Sequence, residues 1–542
     1  MRRAVVMTFL AVAAAPSAGQ VDPGQRLLEE LQQRQLEREE RRPPGTIELK
    51  PEARPAPAPE DAVCFDIDRI ELEGATLVDA DARDALLARY TGKCLGRAEI
   101  NALLAALTGA YVERGFVTTR VYIPPQNLSS RVLKLLVIEG RIERLYMNQD
   151  ADADRRRAWA AFPSGPGDPL RLQDLEQGLE QLNRVPSARA TVRLQPGTAP
   201  GGTVVAVEDR SEDRFRGFLG YDNYGQRRTG RQRFNLGIEA DNVLALNDTW
   251  AIVYAGSLDT NAVAGTGSVG LGNWTVGVLA SYSESLDRLT ADVELFARNT
   301  VAGVLVERLL ARTATAKASV AFLLDRKWSR RYVNDVELIP QDLTVARLGP
   351  RAQVRYAQGL LFLDGALSAG LTALGATRDP EPLPPDAPVA QFAKFEAGAT
   401  WLGRLESATL RASIRGQYSL DPLYGSEQIV LGGANSVRGF AEAIAFGDSG
   451  WFTRNELVLI LRQGALELAG ADWSRTVQPY VFLDGGQVFL RTGRFDRALA
   501  GAGAGLRFAR RPLSFDVTLA YPFLRNDLPT QAFSFRVALQ LW

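Results

Sequence analysis

From about Phe215 to its last residue the chain is written in segments of roughly ten residues in which apolar and polar side chains alternate. Phe234, Leu236, Ile238 and Ala240 interleave with Arg233, Asn235, Gly237 and Glu239. Ala352, Val354 and Tyr356 interleave with Arg351, Gln353 and Arg355, and Leu410, Ala412, Ile414 and Tyr418 with Arg411, Ser413, Arg415 and Gln417. A strand points successive side chains to opposite faces, so each segment has one face for an apolar medium and one for water. Trp250, Trp274, Tyr282, Trp401 and Trp451 lie near segment ends, as an aromatic girdle would. A soluble β-sandwich can share the alternation. Arginine recurring on the polar face, and segments running to the C-terminus, favour a closed transmembrane β-barrel instead. About 330 residues at about 20 per strand and connection give about sixteen strands. The expected starts are near 214, 230, 248, 274, 299, 314, 342, 359, 389, 406, 426, 450, 476, 497, 512 and 532.

Composition narrows the rest. No run of eighteen or more uncharged apolar residues follows the N-terminus, which argues against a helical membrane protein but not against a barrel. The 63 basic residues balance 63 acidic ones, so no nucleic-acid partner is expected. The chain has no histidine, which removes His-based triads, HExxH zinc sites and c-type haem attachment. No Walker-type phosphate loop occurs, and no metal or cofactor is expected. Acidic pairs such as Glu39-Glu40 come without a nucleophile–base constellation, so a secreted enzyme is the weakest reading.

Ahead of the barrel the chain divides into short units. Residues 1–19 carry Arg2 and Arg3, an apolar stretch Ala4–Ala15 and small residues, the pattern of an export signal. Residues 20–42 read as a charged helix on which only Leu27, Leu28, Leu31 and Leu36 can pack; it suits a solvated arm, a wet lumen or a disordered leader. Residues 43–62, rich in proline, read as a stiff linker. Residues 63–140 read as a βααββ unit. Its first strand runs through Phe65, Ile67, Ile70 and Leu72 with an irregularity near Asp68, and its helices are Asp79–Tyr90 and Arg97–Arg114. Ile100, Leu103, Leu104, Leu107 and Tyr111 share one face of the second helix. Strands Val117–Ile123 and Val132–Ile138 follow. In an exported chain Cys64 and Cys94 are expected to pair. Residues 141–210 repeat the plan in pattern, and residues 211–542 form the barrel. Two small sheets with exposed edges suit either binding of extended polypeptide by strand addition or a spacer role.

Two short stretches stand apart. Gly432-Gly433-Ala434-Asn435-Ser436-Val437-Arg438-Gly439-Phe440 puts one arginine among glycines, within a loop spanning 432–449. Phe482-Leu483-Asp484-Gly485-Gly486 puts one carboxylate in an apolar strand. Alone, they read first as an ordinary turn and an ordinary strand end, and otherwise as a loop tucked against a wall by a charge-assisted hydrogen bond.

Taken together, the chain resembles the outer-membrane transporters of two-partner secretion, the haemolysin and filamentous-haemagglutinin transporters. The resemblance rests on Tyr111-Val112-Glu113-Arg114-Gly115-Phe116-Val117-Thr118-Thr119-Arg120, Ile123-Pro124-Pro125-Gln126-Asn127-Leu128 and Val137-Ile138-Glu139-Gly140-Arg141-Ile142, similar to the family's first POTRA module with its Cys64–Cys94 pair. It rests also on Val437-Arg438-Gly439-Phe440, similar to the motif of the sixth extracellular loop, and on Phe482-Leu483-Asp484-Gly485-Gly486, similar to the barrel-wall motif that meets it. It implies a mainly β fold: about sixteen transmembrane strands, two POTRA modules in the periplasm and an N-terminal helix that plugs the pore. The implied function is capture of an exported, largely unfolded exoprotein and its passage to the cell surface, without nucleotide.

The resemblance assigns partner contact to Arg120, Pro125, Gln126, Leu128, Glu139 and Gly140, and a loop–barrel lock to Arg438 with Asp484. Arg351, Arg355, Arg411 and Arg415 would line the channel or pair with loops. The other implied partners are a large adhesin- or haemolysin-like exoprotein, outer-membrane lipid, and the barrel-assembly machinery that reads the closing strand of Phe533, Phe535, Val537, Leu539 and Leu541 before Trp542. A single copy is expected to suffice. The rival readings are a barrel-assembly insertase, which would carry more periplasmic modules, and a diffusion porin, which needs none.

Overall fold

The computed structural model describes residues 22–40, 47–48, 64–384, 386–468, 471–474, 476–491, 496–524 and 527–541. The expected export signal, most of the linker and Trp542 lie outside them.

Helix α1, Pro23–Glu40, lies inside the barrel and is taken up with the site. The first periplasmic module holds α2, Ala80–Leu87, and α3, Arg97–Glu113. Ile100, Leu103, Leu107 and Tyr111 recur at helical spacing on α3 and bury against Leu133, Leu135 and Val137 of the strand Val132–Ile138. Glu99 closes the start of α3 by accepting from the Gly96 N–H at 2.9 Å. Cys64 and Cys94 form a disulfide with Cα atoms 5.4 Å apart, joining the strands Cys64–Ile67 and Lys93–Gly96. The expected single strand through Asp68 is corrected. Cys64–Ile67 and Arg69–Glu73 belong to different sheets, the second pairing in parallel with Val132–Ile138. Lys93–Gly96 was not foreseen, and the strand expected over Val117–Ile123 shrinks to Arg120–Tyr122.

The second module holds α4, Asp152–Ala161, and α5, Leu172–Asn183, over a four-stranded sheet. Leu175, Leu179 and Leu182 of α5 fill its core with Val192, Val205 and Val207. One edge strand comes from the linker, where Ile47–Glu48 pairs in parallel with Ala190–Pro196.

Sixteen antiparallel strands then close a barrel, Phe215–Asp222 pairing with Phe533–Gln540 to seal it. The polypeptide enters the first strand from the second module, so odd-numbered strands rise from the periplasmic rim and even-numbered strands return to it. Apolar residues such as Phe234, Ile252, Leu367 and Ile414 are exposed on the outer face. Trp250, Trp274, Tyr282 and Trp451 are also exposed. The strand total matches the expectation, but two positions do not. Thr260–Leu271 is the fourth strand and was missed. The segment near 426 is not a barrel strand, for Ile429–Leu431 pairs only with Ala445–Gly447 inside the long loop. Thr260–Leu271 was hidden because its inward row is small, and Ala262 and Ala264 lie against α1.

Candidate functional site in the barrel lumen

The loop between the eleventh strand, Ala408–Ser419, and the twelfth, Ser449–Leu459, folds back into the lumen. Val437 and Phe440 are buried with Ile429, Leu431, Val488 and Leu499. Gly439 turns the chain at φ +97°, where a side chain is strained. Its carbonyl accepts from Gln531 N at 2.9 Å, and Ala441 N donates to Pro529 O at 3.1 Å. Both partners precede the last strand.

This turn presents Arg438, 5% exposed, to the thirteenth strand, Val477–Phe489. Asp484 lies mid-strand and is 1% exposed. Arg438 Nε donates to Asp484 Oδ2 at 2.7 Å and Nη2 to Oδ1 at 3.0 Å, a two-pronged pairing. The Arg438 backbone N–H adds a bond to Oδ2 at 3.2 Å. The guanidinium carbon sits 3.8 Å from the centre of the Phe482 ring. Phe482, Asp484 and Gly486 share the inward row, whereas Gly485 belongs to the outward one. A Cβ at Gly501, on the neighbouring strand, would lie 2.3 Å from the Arg438 carbonyl, so glycine there admits the loop backbone.

The pair is part of a chain of charges. Arg438 Nη1 reaches Glu456 Oε2 at 2.8 Å, Arg507 binds Glu456 at 2.5 and 2.8 Å, and Arg507 Nε binds Asp516 at 2.8 Å. Tyr480 donates to Asp516 at 2.7 Å. No local motif marks Glu456, Arg507, Asp516 or Tyr480, because their pairing is created by strand register.

A second anchor holds the base of the loop, and it too escaped the sequence. Glu427 is 2% exposed and faces Lys327 at 2.6 Å, Arg347 at 3.0 Å and Lys394 at 3.0 Å. The three cations come from three barrel strands, the last of which, Ala393–Arg404, pairs with the strand that leads into the loop.

Helix α1 lies in the lumen against inward-facing wall residues. Leu27, Leu28 and Leu31 pack on Val253, Ala255, Ala262, Ala264 and Val301, while Leu36 stays 41% exposed. Its polar residues meet the wall all round. Glu30 pairs with Arg233 at 3.0 Å and Arg536 at 3.4 Å, Arg38 with Glu239 at 2.5 Å, and Asp22 accepts from Ser283 at 2.6 Å. Arg26 pairs with Glu442 of the folded loop, and Gln25 donates to Ser426 O at 3.2 Å. A helix too polar for an apolar core is thus stable in a polar tube.

A barrel with a helix and a loop in its lumen and tandem periplasmic modules can be matched to known proteins. Residues 201–508 match the haemolysin secretion/activation protein family ShlB/FhaC/HecB, residues 65–140 a ShlB-type POTRA domain and residues 141–196 a POTRA domain. The chain belongs to the ShlB/FhaC/HecB family. The outer membrane transporter CdiB of Dickeya dadantii (strain 3937) is 32% identical over 85% of this chain and 83% of its own length. Hemolysin transporter protein ShlB of Serratia marcescens is 29% identical over 88% of this chain and 85% of its own. The solved structure of CdiB from Escherichia coli superposes with a TM-score of 0.86 at 28% identity, covering 96% of this chain and 99% of that one. This ShlB/FhaC/HecB protein is a two-partner secretion transporter of the outer membrane, with POTRA modules in the periplasm and a secreted exoprotein as partner.

Within this ShlB/FhaC/HecB barrel the expected channel arginines point inward and most carry a carboxylate partner. Arg351 binds Glu307 at 2.8 Å, Arg415 lies 3.8 Å from Asp364, and Arg411 reaches Glu37 of α1 at 3.5 Å. Arg355 is exposed on the same row, near the periplasmic end of its strand. The residues expected to touch the partner are mostly engaged inside the first module. Glu139 accepts from Thr76 N at 2.6 Å and Leu77 N at 2.7 Å, and from the Tyr111 hydroxyl at 3.3 Å. Burial first, and the Glu139 carboxylate second, push the Tyr111 hydroxyl up to about 12. Gln126 exchanges two bonds of 2.7 Å with the Lys134 backbone, and Arg120 Nη1 donates to Val117 O and Thr119 O at 2.9 Å. Gly140 is buried beside Thr118, Leu128 packs against the core, and Pro125 is exposed.

Proposed function

We propose that this transporter exports a large adhesin- or haemolysin-like exoprotein as a single copy and without chemistry of its own. In this reading α1 closes the pore at rest and leaves it when the exoprotein arrives. The loop stays anchored through Arg438, making a fixed wall against which the unfolded chain slides. The observation that carries the reading is the contrast between the two lumen elements. The loop is fixed by a buried, two-pronged Arg438–Asp484 pair with Glu456 behind it. Helix α1 is held by single ion pairs spread along its length, Glu30 among them buried, and by three leucines. Dispersed contacts can be released one at a time as a substrate enters. Breaking the buried pair strands a charge, at about 3–5 kcal/mol.

The test is co-expression of the transporter with a candidate large exported protein. The exoprotein should reach the medium only when the transporter is present. Replacing Arg438 by alanine should stop release while leaving a folded barrel in the outer membrane. Normal release by that variant, at equal barrel amount, would refute the loop's role.

A further inference from the structure

Trp159 is the most exposed tryptophan side chain of the molecule's described residues, at 74%. It lies on α4, whose neighbours Ala158, Ala160 and Ala161 are buried. A single exposed indole is ordinary on a protein surface and becomes informative where it adjoins a larger apolar patch. The position of α4 shows what lies beside it. The Gly272 N–H donates to Ala160 O at 2.7 Å, fixing the end of α4 to the periplasmic turn between the fourth and fifth barrel strands. Asn247, on the turn between the second and third strands, exchanges bonds with Arg157 at 3.1 and 2.8 Å. Helix α4 is therefore seated on the rim.

The lipid face begins at that same rim. Trp274, two residues beyond Gly272, shares the outward row of its strand with Val276 and Val278, all exposed. Opposite it in register, Arg308 shares the outward row with Val304 and Leu310 and stacks 5.0 Å from the Trp274 ring. A cation among lipid-facing aliphatics is stable only where its head reaches the phosphate layer. Trp274 and Arg308 thus mark the headgroup level of the periplasmic leaflet. The neighbouring turn exposes Val243 and Leu244, and Asp248 Oδ1 fixes its backbone by accepting from Leu244 N at 3.0 Å and Leu246 N at 3.3 Å.

We propose that α4 is a membrane-surface anchor: Trp159 and Arg156, continuous with Trp274, Arg308 and Val243 at the rim, bind phospholipid headgroups of the periplasmic leaflet. Arg156 is exposed and sits three residues before Trp159, which puts it on an adjoining face. Arg155 is engaged by Asp152 and the Asp150 carbonyl and is not assigned to lipid. The anchor would set the tilt of the second POTRA module beneath the pore. A partner polypeptide is the competing occupant.

The test places one cysteine at a time in the full chain, labels it with an environment-sensitive fluorophore and reconstitutes the protein in phosphatidylethanolamine–phosphatidylglycerol vesicles. Headgroup spin-labelled phosphatidylcholine is then the quencher. Trp159→Cys should be quenched nearly as strongly as Trp274→Cys, and about three-fold or more above Val112→Cys on the first module, given interfacial seating of the indole. Arg156→Cys provides a second site should the tryptophan variant fold poorly, with the same expectation. Quenching at both sites no greater than at 112 would overturn the proposal. So would shielding of 159 that arises only when a secreted exoprotein is added, since that assigns the face to the partner.

Discussion

The periplasmic modules and the barrel lumen are built on opposite principles. In the modules, side chains such as Ile67, Leu103, Leu133, Leu175 and Val205 are almost wholly buried, and the interior is apolar. In the lumen the buried side chains include Asp222, Lys327, Lys394, Glu427, Arg438 and Asp484. Apolar packing is non-directional and tolerates small movements. A satisfied charge network has one arrangement, and removing one member leaves another unpaired. The difference teaches where each region can yield. The lumen holds its loop by a few specific bonds that act as discrete catches, while the modules hold their shape by area and one disulfide.

Substitutions can break or sharpen this contrast. The largest effect belongs to Arg438→Ala. Losing about 3–5 kcal/mol of loop anchoring should cut exoprotein release by roughly a hundred-fold or more, read by immunoblot of the medium, with the heat-modifiable barrel band unchanged. Cys64→Ser should act on the other region alone. Removing a cross-link over about 30 residues costs about 3–4 kcal/mol, so the first module becomes protease-sensitive while the barrel does not. Glu427→Gln leaves Lys327, Arg347 and Lys394 facing one another without their shared anion, and about 1–3 kcal/mol of anchoring at the loop base should go. Partial loss of release, smaller than for Arg438→Ala, is the expected result. Deleting residues 20–42 should raise single-channel conductance and steady the record without changing barrel stability; an unchanged record would show that α1 does not obstruct current.

The smallest effect concerns Tyr111. Its hydroxyl is raised in the folded state to about 12, above its ordinary value near 10. Stability from this group is therefore full below about pH 10 and is lost as the pH rises through about 12. Subtilisin cleavage of the first module should accelerate between about pH 10 and about pH 12 more in the native chain than in Tyr111→Phe. Equal acceleration in both would remove Tyr111 from the account.

Local pattern made much of this readable in advance. Ile100, Leu103, Leu107 and Tyr111 announce α3 because helix period and burial coincide there. Leu410, Ile414 and Tyr418 announce a barrel strand because lipid selects one face. The signal fails where another element supplies the packing. Thr260–Leu271 carries small inward residues because α1 lies against them, so its alternation is faint. The loop strand Ile429–Leu431 looks like a barrel strand because it too is buried on a wall, although on the inside. Arg438 and Asp484 were readable through their motifs. Glu427 and Glu456 were not, since a glutamate in a strand or turn carries no mark of the cations that register brings to it. The POTRA residues Glu139 and Gly140 stand out in sequence for a structural reason, the tight closure around Thr76 and Thr118.

The most direct test of the inward loop is thiol access from outside the cell. Ser436, two residues from Arg438, is 5% exposed within the lumen. In cells carrying Ser436→Cys, a bulky membrane-impermeant maleimide added externally should leave the protein unlabelled, and adding Asp484→Ala should make labelling rapid. Rapid labelling with Asp484 intact, or none after its removal, would contradict a loop held in the lumen by this pair.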